Sequence, residues 1–261
     1  MRSLFNAISR FNLPVKLALH LFHTFIAPIA LYNFENCLAL SEKQLDNFTG
    51  ETLMNNNSEV NLIHKKILKF ILGVGKSTPT LAVMGDSGEI PLLFKGFRLS
   101  INYWHRIHKL SNEVLVRKAL NENILIRSTW IRTIEKLLNY FEITYVEDNT
   151  KFKAIVKKSV NQRYLTEWHD EVQITASARL EFYKTFKKTF GYEEYLEIKD
   201  FEDRKNFAKI RCSSHTLEIE KGGHNKKLRD ERLCIVCSLN EIETEEHFLI
   251  KCPRYNTLMT K

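Results

Sequence analysis

Apolar residues recur every three or four positions through most of the chain. Between positions 61 and 72, Leu62, Ile63, Ile67, Phe70 and Ile71 fall on one stripe, Lys65, Lys66 and Lys69 fall elsewhere, and Gly73 stands where a helix would end. Positions 128–141 repeat the pattern with Ile131, Ile134, Leu137, Leu138 and Phe141; Ser128 is placed to cap the helix, and Arg132 and Glu135 to pair one turn apart. Positions 92–110 mix aromatics and cations over a helical length, and 112–121 reads as a short helix. Positions 177–190 set Leu180, Tyr183, Phe186 and Phe190 against Arg179, Lys184, Lys187 and Lys188. Loops are expected at 48–58, with its Asn55-Asn56-Asn57 run, and at 76–91, with Pro79, Gly85, Gly88 and Pro91. Turns are expected at 147–150 and at Gly222-Gly223. The apolar run 17–32 is only 16 residues long, short of the roughly 20 needed to cross a bilayer. His20 and His23 within it also argue against a signal peptide, so a buried helix ending or kinking at Pro28 is predicted. The pattern predicts a mostly α protein: a helical array over 1–205 and a small C-terminal region over 206–261.

Composition changes this picture little. Nine Gly and five Pro in 261 residues are few for a turn-rich sandwich or a disordered chain. Seventeen Phe, nine Tyr and three Trp can furnish a sizeable core. The formal charge of +8 is spread along the chain, which suits a polyanionic partner without requiring one. Two local patches stand out: the acid-free set Lys151, Lys153, Lys157, Lys158 and Arg163, and 204–232, where nine basic residues face four acidic ones. Five cysteines are too few for a disulfide scaffold, and an intracellular location, nuclear or cytoplasmic, with reduced thiols is expected.

Four of the chain's metal-ligating side chains sit in the pattern Cys234-x2-Cys237-x9-His247-x4-Cys252. Two cysteines separated by two residues turn their thiolates toward one point, and a histidine and a third cysteine complete a tetrahedron suited to Zn²⁺ in a closed structural site. Thr244 is placed to cap a short helix whose positive end suits Glu245 and Glu246, and Pro253 disfavours helix at Cys252 and turns the chain back. Cys212 and His224 lie just upstream as competing ligands, whereas Cys37 is remote and reads as a core thiol.

These residues carry a resemblance. A stretch Arg211-Cys212-Ser213-Ser214-His215-Thr216-Leu217-Glu218-Ile219-Glu220-Lys221-Gly222 precedes a knuckle that ends in Glu246-His247-Phe248-Leu249 and Cys252-Pro253-Arg254-Tyr255. Together they resemble the C-terminal tail of the endonuclease/reverse transcriptase protein of LINE-type (non-LTR) retrotransposons. Upstream, Pro28-Ile29-Ala30-Leu31-Tyr32, Lys69-Phe70-Ile71-Leu72-Gly73-Val74, Gly85-Asp86-Ser87-Gly88-Glu89-Ile90-Pro91-Leu92 and Tyr103-Trp104-His105-Arg106-Ile107 are similar, in order, to the thumb and linker of that family. Asp86 stands where the family usually has Glu, and Cys37-Leu38 where it often has Trp. The similarity spans about 13 to 255.

The resemblance implies a part of an RNA-directed DNA polymerase that lacks its chemistry. That chemistry needs paired aspartates holding two metal ions. The nearest string, Tyr145-Val146-Glu147-Asp148, follows the thumb-like segment and reads as a surface turn. No catalytic residues are therefore expected, and neither a membrane nor a small-molecule substrate. The expected partner is RNA or DNA, held by Lys221, Lys226, Lys227, Arg229, Arg232, Lys251, Arg254 and Tyr255 around the knuckle. The alternative is a zinc-stabilised structural or protein-interaction remnant.

Overall fold

The structure, a computed structural model, describes residues 11–38, 40–46, 48, 58–174 and 178–255. It is mostly helical, with no strand among the described residues and only two isolated bridges, Ser87 to Tyr192 and Leu233 to Ile242. No described helix is long and apolar enough to cross a membrane.

Helix α1 (Val15–Leu21) runs through a π-helical turn (Phe22–Ile26) into α2 (Ala27–Ala30). Pro28 sits in the first turn of α2, where its missing N–H is tolerated, and the widened turn before it separates its ring from the preceding carbonyls. The segment predicted to be buried is instead amphipathic. Val15, Ala18, Phe22 and Ala27 face the core, whereas Leu17, Phe25 and Ile29 are exposed.

After the short α3 (Phe34–Cys37) and α4 (Glu42–Asp46), α5 (Glu59–Leu72) is capped by Ser58, whose side chain accepts from the Asn61 N–H, and ends at Gly73 in the left-handed region, φ 69°. Its buried face is rotated from the predicted stripe. Ile67 and Ile71 are buried as expected, but Leu62 and Phe70 are exposed, and Leu68, Leu72, Asn61 and His64 are inside. The reason is polar. Leu92 and Leu93 open the helix Leu92–His108 with N–H groups that have no intrahelical acceptor, and these donate to His64 Nδ1 at 3.1 Å and Asn61 Oδ1 at 3.2 Å.

The expected loop at 76–91 contains α6 (Thr80–Ser87). Gly85 there marks a close approach: a Cβ would collide with the Tyr183 hydroxyl and the Trp168 ring. The loop predicted at 48–58 lies mostly outside the described residues.

Helix α7 (Leu92–His108) is the centre of the array and packs on α3, on α9 (Thr129–Tyr140) and on α10 (Asn149–Ile174). Between them, α8 (Leu115–Leu125) closes a small cluster of Ile107, Leu120 and Ile131. Ser128 caps α9 as expected, and Ile131, Ile134, Leu137 and Phe141 are buried. Glu135, expected to pair with Arg132, lies instead 3.6 Å from Arg127. The longest helix among the described residues, α10, lies where the sequence pattern predicts no helix. Its buried residues Phe152, Val156, Val160, Tyr164, Trp168 and Val172 recur every fourth position, and Asp148 of the expected surface turn caps it.

Helices α11 (Ala178–Glu181) and α12 (Tyr183–Phe186) follow. Leu180 and Tyr183 of the apolar stripe are buried, but so is Lys187, which the pattern sets against them. Helix α13 (Phe201–Arg211) runs across the proposed boundary at 205, and Gly222-Gly223, expected as a turn, lies inside α14 (Glu218–His224).

Candidate metal centre

The C-terminal ligands are delivered by two local structures. An antiparallel bridge between Leu233 and Ile242, with Cys234 N–H donating to Glu241 C=O at 2.9 Å and Glu243 N–H to Arg232 C=O at 2.9 Å, closes the loop that carries Cys234 and Cys237. Further on, Thr244 Oγ1 accepts from the His247 N–H at 3.0 Å, capping the turn as the sequence suggests. The chain then makes a π-helical turn, His247–Lys251, and the Cys252 N–H donates to His247 C=O at 2.8 Å. That turn gives the x4 spacing its geometry, since the residues bonded i to i+5 are the two ligands themselves. Cys252 is extended, φ −70°, ψ 116°, ahead of Pro253.

The ligand atoms of Cys234, Cys237, His247 and Cys252 all lie within 4.8 Å of one another. Tetrahedral thiolate ligation sets sulfur–sulfur edges of about 3.8 Å, so closure around an ion needs shifts of an ångström or less. His247 Nδ1 lies 3.1 Å from Glu241 Oε2 and its Nε2 3.4 Å from Cys237 Sγ. A carboxylate holding the Nδ1 proton leaves the Nε2 lone pair for a metal. Burial raises the Cys234 thiol to about 11, against the opposing pull of the Val236 and Cys237 amides. Burial also acts on Cys252, but there the amides of Tyr255 and Arg254 prevail and hold its thiol below the ordinary value. Three thiols and one oriented imidazole fit Zn²⁺.

Neither upstream competitor joins this cluster. The Cys212 thiol is buried against Asp86, Sγ to Oδ2 3.9 Å, and burial together with that carboxylate pushes it well above its ordinary pKa. Cys37, expected in the core, is exposed.

A second group was not foreseen: His23, His64 and Glu89, brought together from α5, the first π-helical turn and the loop before α7. His64 Nδ1 accepts the Leu92 N–H, so the neutral ring carries its proton on Nε2, the atom facing Glu89 at 3.5 Å. A metal at Nε2 would require an imidazolate, and Lys95 Nζ stands 3.7 Å from the same carboxylate. This cluster is an ion-pair network, with His23 Nε2 on Glu89 Oε2 at 2.7 Å.

The eight residues proposed for nucleic-acid contact are placed unequally. Lys221 and Lys227 both reach Glu218, at 3.1 and 3.4 Å, Arg229 reaches Glu181 at 3.0 Å, and Lys251 reaches Glu246 at 3.0 Å. Arg232 is a staple: its chain packs on Gly222, where a Cβ would collide with it, and its guanidinium donates to Ile219 C=O at 2.8 Å and to Lys227 C=O. Tyr255 stacks edge-on against Phe248. Lys226 is exposed at a left-handed position, φ 58°, and Arg254 is exposed beside Pro253.

The stretches that carry the resemblance meet in space. Arg211 forks onto the buried Asp86 at 2.9 and 3.2 Å, and the Tyr183 and Tyr195 hydroxyls donate to the same carboxylate at 3.0 and 2.9 Å. His215 binds Glu245 at 2.9 Å and Glu220 binds Arg179 at 2.9 Å. Sequence reasoning missed Glu243, whose carboxylate takes the Glu218 N–H at the start of α14 at 2.7 Å and ties that helix to the ligand loop. Only the general rule that helix N-termini attract carboxylates pointed to such a contact. No known family model matches this chain, and no characterised protein or solved structure matches it either.

Proposed function

We propose that the chain is a non-catalytic, zinc-holding, nucleic-acid-binding region similar to the C-terminal part of LINE-type retrotransposon reverse transcriptases. The observation that carries this reading is the convergence of Cys234, Cys237, His247 and Cys252 on one point. All four corners of the tetrahedron are supplied by the chain, so the ion's part would be to hold the tail, leaving no open position for a substrate. The segment from 233 to 255 has little apolar surface to bury, so metal binding there would be largely folding free energy.

The pairing of Asp86 with Arg211 and of Arg179 with Glu220 supports the same reading, because the motif residues account for one another across the fold. Asp148, in the string nearest to a polymerase aspartate pair, is engaged in capping a helix.

The ion pairs on Lys221, Lys227, Arg229 and Lys251 favour a second reading, in which zinc serves only to fold an interaction tail. Two measurements separate these. The purified chain should carry one zinc per molecule, and Cys237→Ser should lose the metal and unfold the tail while the helical circular dichroism of the array persists. Affinity for RNA or DNA should then fall steeply with salt, as release of counterions requires. No measurable affinity at low salt leaves the structural reading.

A further inference from the structure

Three cations without a carboxylate partner, Arg98, Lys153 and Lys157, stand together elsewhere, beside Lys95. A groove of about 1010 Å³ opens on the helical array between α7, α10 and the segment from Ala27 to Asn33. Lys95, Arg98, Leu99 and Asn102 follow one another at helical spacing along the α7 wall. Lys153 and Lys157, one turn apart, form the α10 wall. Neither lysine makes an ion pair or hydrogen bond among the described residues. Arg98 reaches only the neutral amide of Asn161, at 3.4 Å.

The remaining wall is apolar and aromatic: Pro28, Leu31 and Tyr32, the last 85% exposed. Within the groove the side-chain oxygen of Asn102 is buried and has no hydrogen-bond partner. One carboxylate, Glu35, lines the groove against its four cations, and Glu89, behind Lys95, is engaged by His23, His64 and Lys95.

From this arrangement we propose that the groove, rather than the metal-held tail, is the principal seat of a single nucleic-acid strand. The inference rests on the nucleic-acid reading given above and assigns it a place. Phosphates sit along Lys95, Arg98, Lys153 and Lys157, a base stacks on Tyr32, and the Asn102 oxygen accepts from a ribose hydroxyl or a base amino group. An acidic peptide would use the cations but brings no base to stack on the exposed ring of Tyr32.

The burial that lowers the pKa of Lys95 and Arg98 shows that their charged forms are incompletely solvated, and an anion in the groove would relieve this.

The test is the binding of a fluorescent 12-nucleotide single-stranded RNA to the full chain between 50 and 200 mM salt. Lys153→Gln with Lys157→Gln should weaken binding tenfold or more and flatten the log–log salt slope by about 1.4, which is two phosphate contacts on a single strand. Tyr32→Ala should weaken it by about tenfold through lost stacking. Lys151→Gln with Lys158→Gln removes the same charge from the same helix outside the groove and should change affinity by less than threefold. Equal losses in the two double variants would mean diffuse attraction and would overturn the groove. Wild-type affinity in the Lys153/Lys157 variant, with RNA still bound, would overturn the groove and leave nucleic-acid binding standing. No binding by the wild-type chain at 50 mM salt would overturn both.

Discussion

Asp86 is fully buried, and its charge is tolerable only because Arg211, Tyr183 and Tyr195 surround it and Lys187 stands 3.9 Å away. Asp86→Ala leaves the Tyr195 hydroxyl without its acceptor and Arg211 and Lys187 sharing the single carboxylate of Glu193, and should cost about 3–5 kcal/mol, read as a fall in the urea midpoint. Glu89 gives a pH signature. Burial raises its pKa, but hydrogen bonds from His23 and His64 outweigh this and set it at about 2, below its ordinary 4.5. The folded state thus binds its proton less readily than the unfolded one. The resulting stabilisation is complete above pH 4.5 and is lost as pH falls toward 2, with an upper bound of about 3 kcal/mol. Glu89→Gln should flatten the acid limb of a stability–pH curve over that interval.

Helices that carry their own evidence were legible. The Ser128 cap and the Ile131-Ile134-Leu137 stripe of α9 sit as read, and so does Gly73 at the end of α5. What misled was chemistry supplied from a distance. Asn61 and His64 look polar and face inward because α7 needs acceptors for its first amides, which turns Leu62 and Phe70 outward. Lys187 looks like a surface cation, yet it is held by Glu193 and the Gly191 carbonyl. Gly85 looks like a loop residue because its close neighbours, Trp168 and Tyr183, are more than 80 positions away. The metal ligands were legible because their order is local, but the π-helical turn that aligns two of them has no sequence signal. That turn makes a sharp prediction. Deleting Ile250 leaves a four-residue turn, swings Cys252 about 100° around the helix axis, and should abolish stoichiometric zinc binding as measured by metal release on thiol modification.

At the scale of the molecule, the array and the tail are knit together. Arg179 to Glu220, Arg229 to Glu181 and Gly75 N–H to Ser214 Oγ at 2.8 Å all cross the division that the sequence suggested near 205. A chain stopped at 205 should therefore melt at lower temperature and with less cooperativity than the full chain, as followed by circular dichroism. The Asp86 cage also sets an order of events during synthesis. The carboxylate leaves the ribosome 125 residues before the guanidinium that neutralises it. At ordinary elongation rates of about 5–20 residues per second, the array waits on the order of ten seconds with an acidic group it cannot yet bury. Until Arg211 emerges, α6 lacks the fork that fixes its carboxylate beside α12, and the earlier-made Tyr183, Lys187 and Tyr195 are the groups at hand to answer that charge.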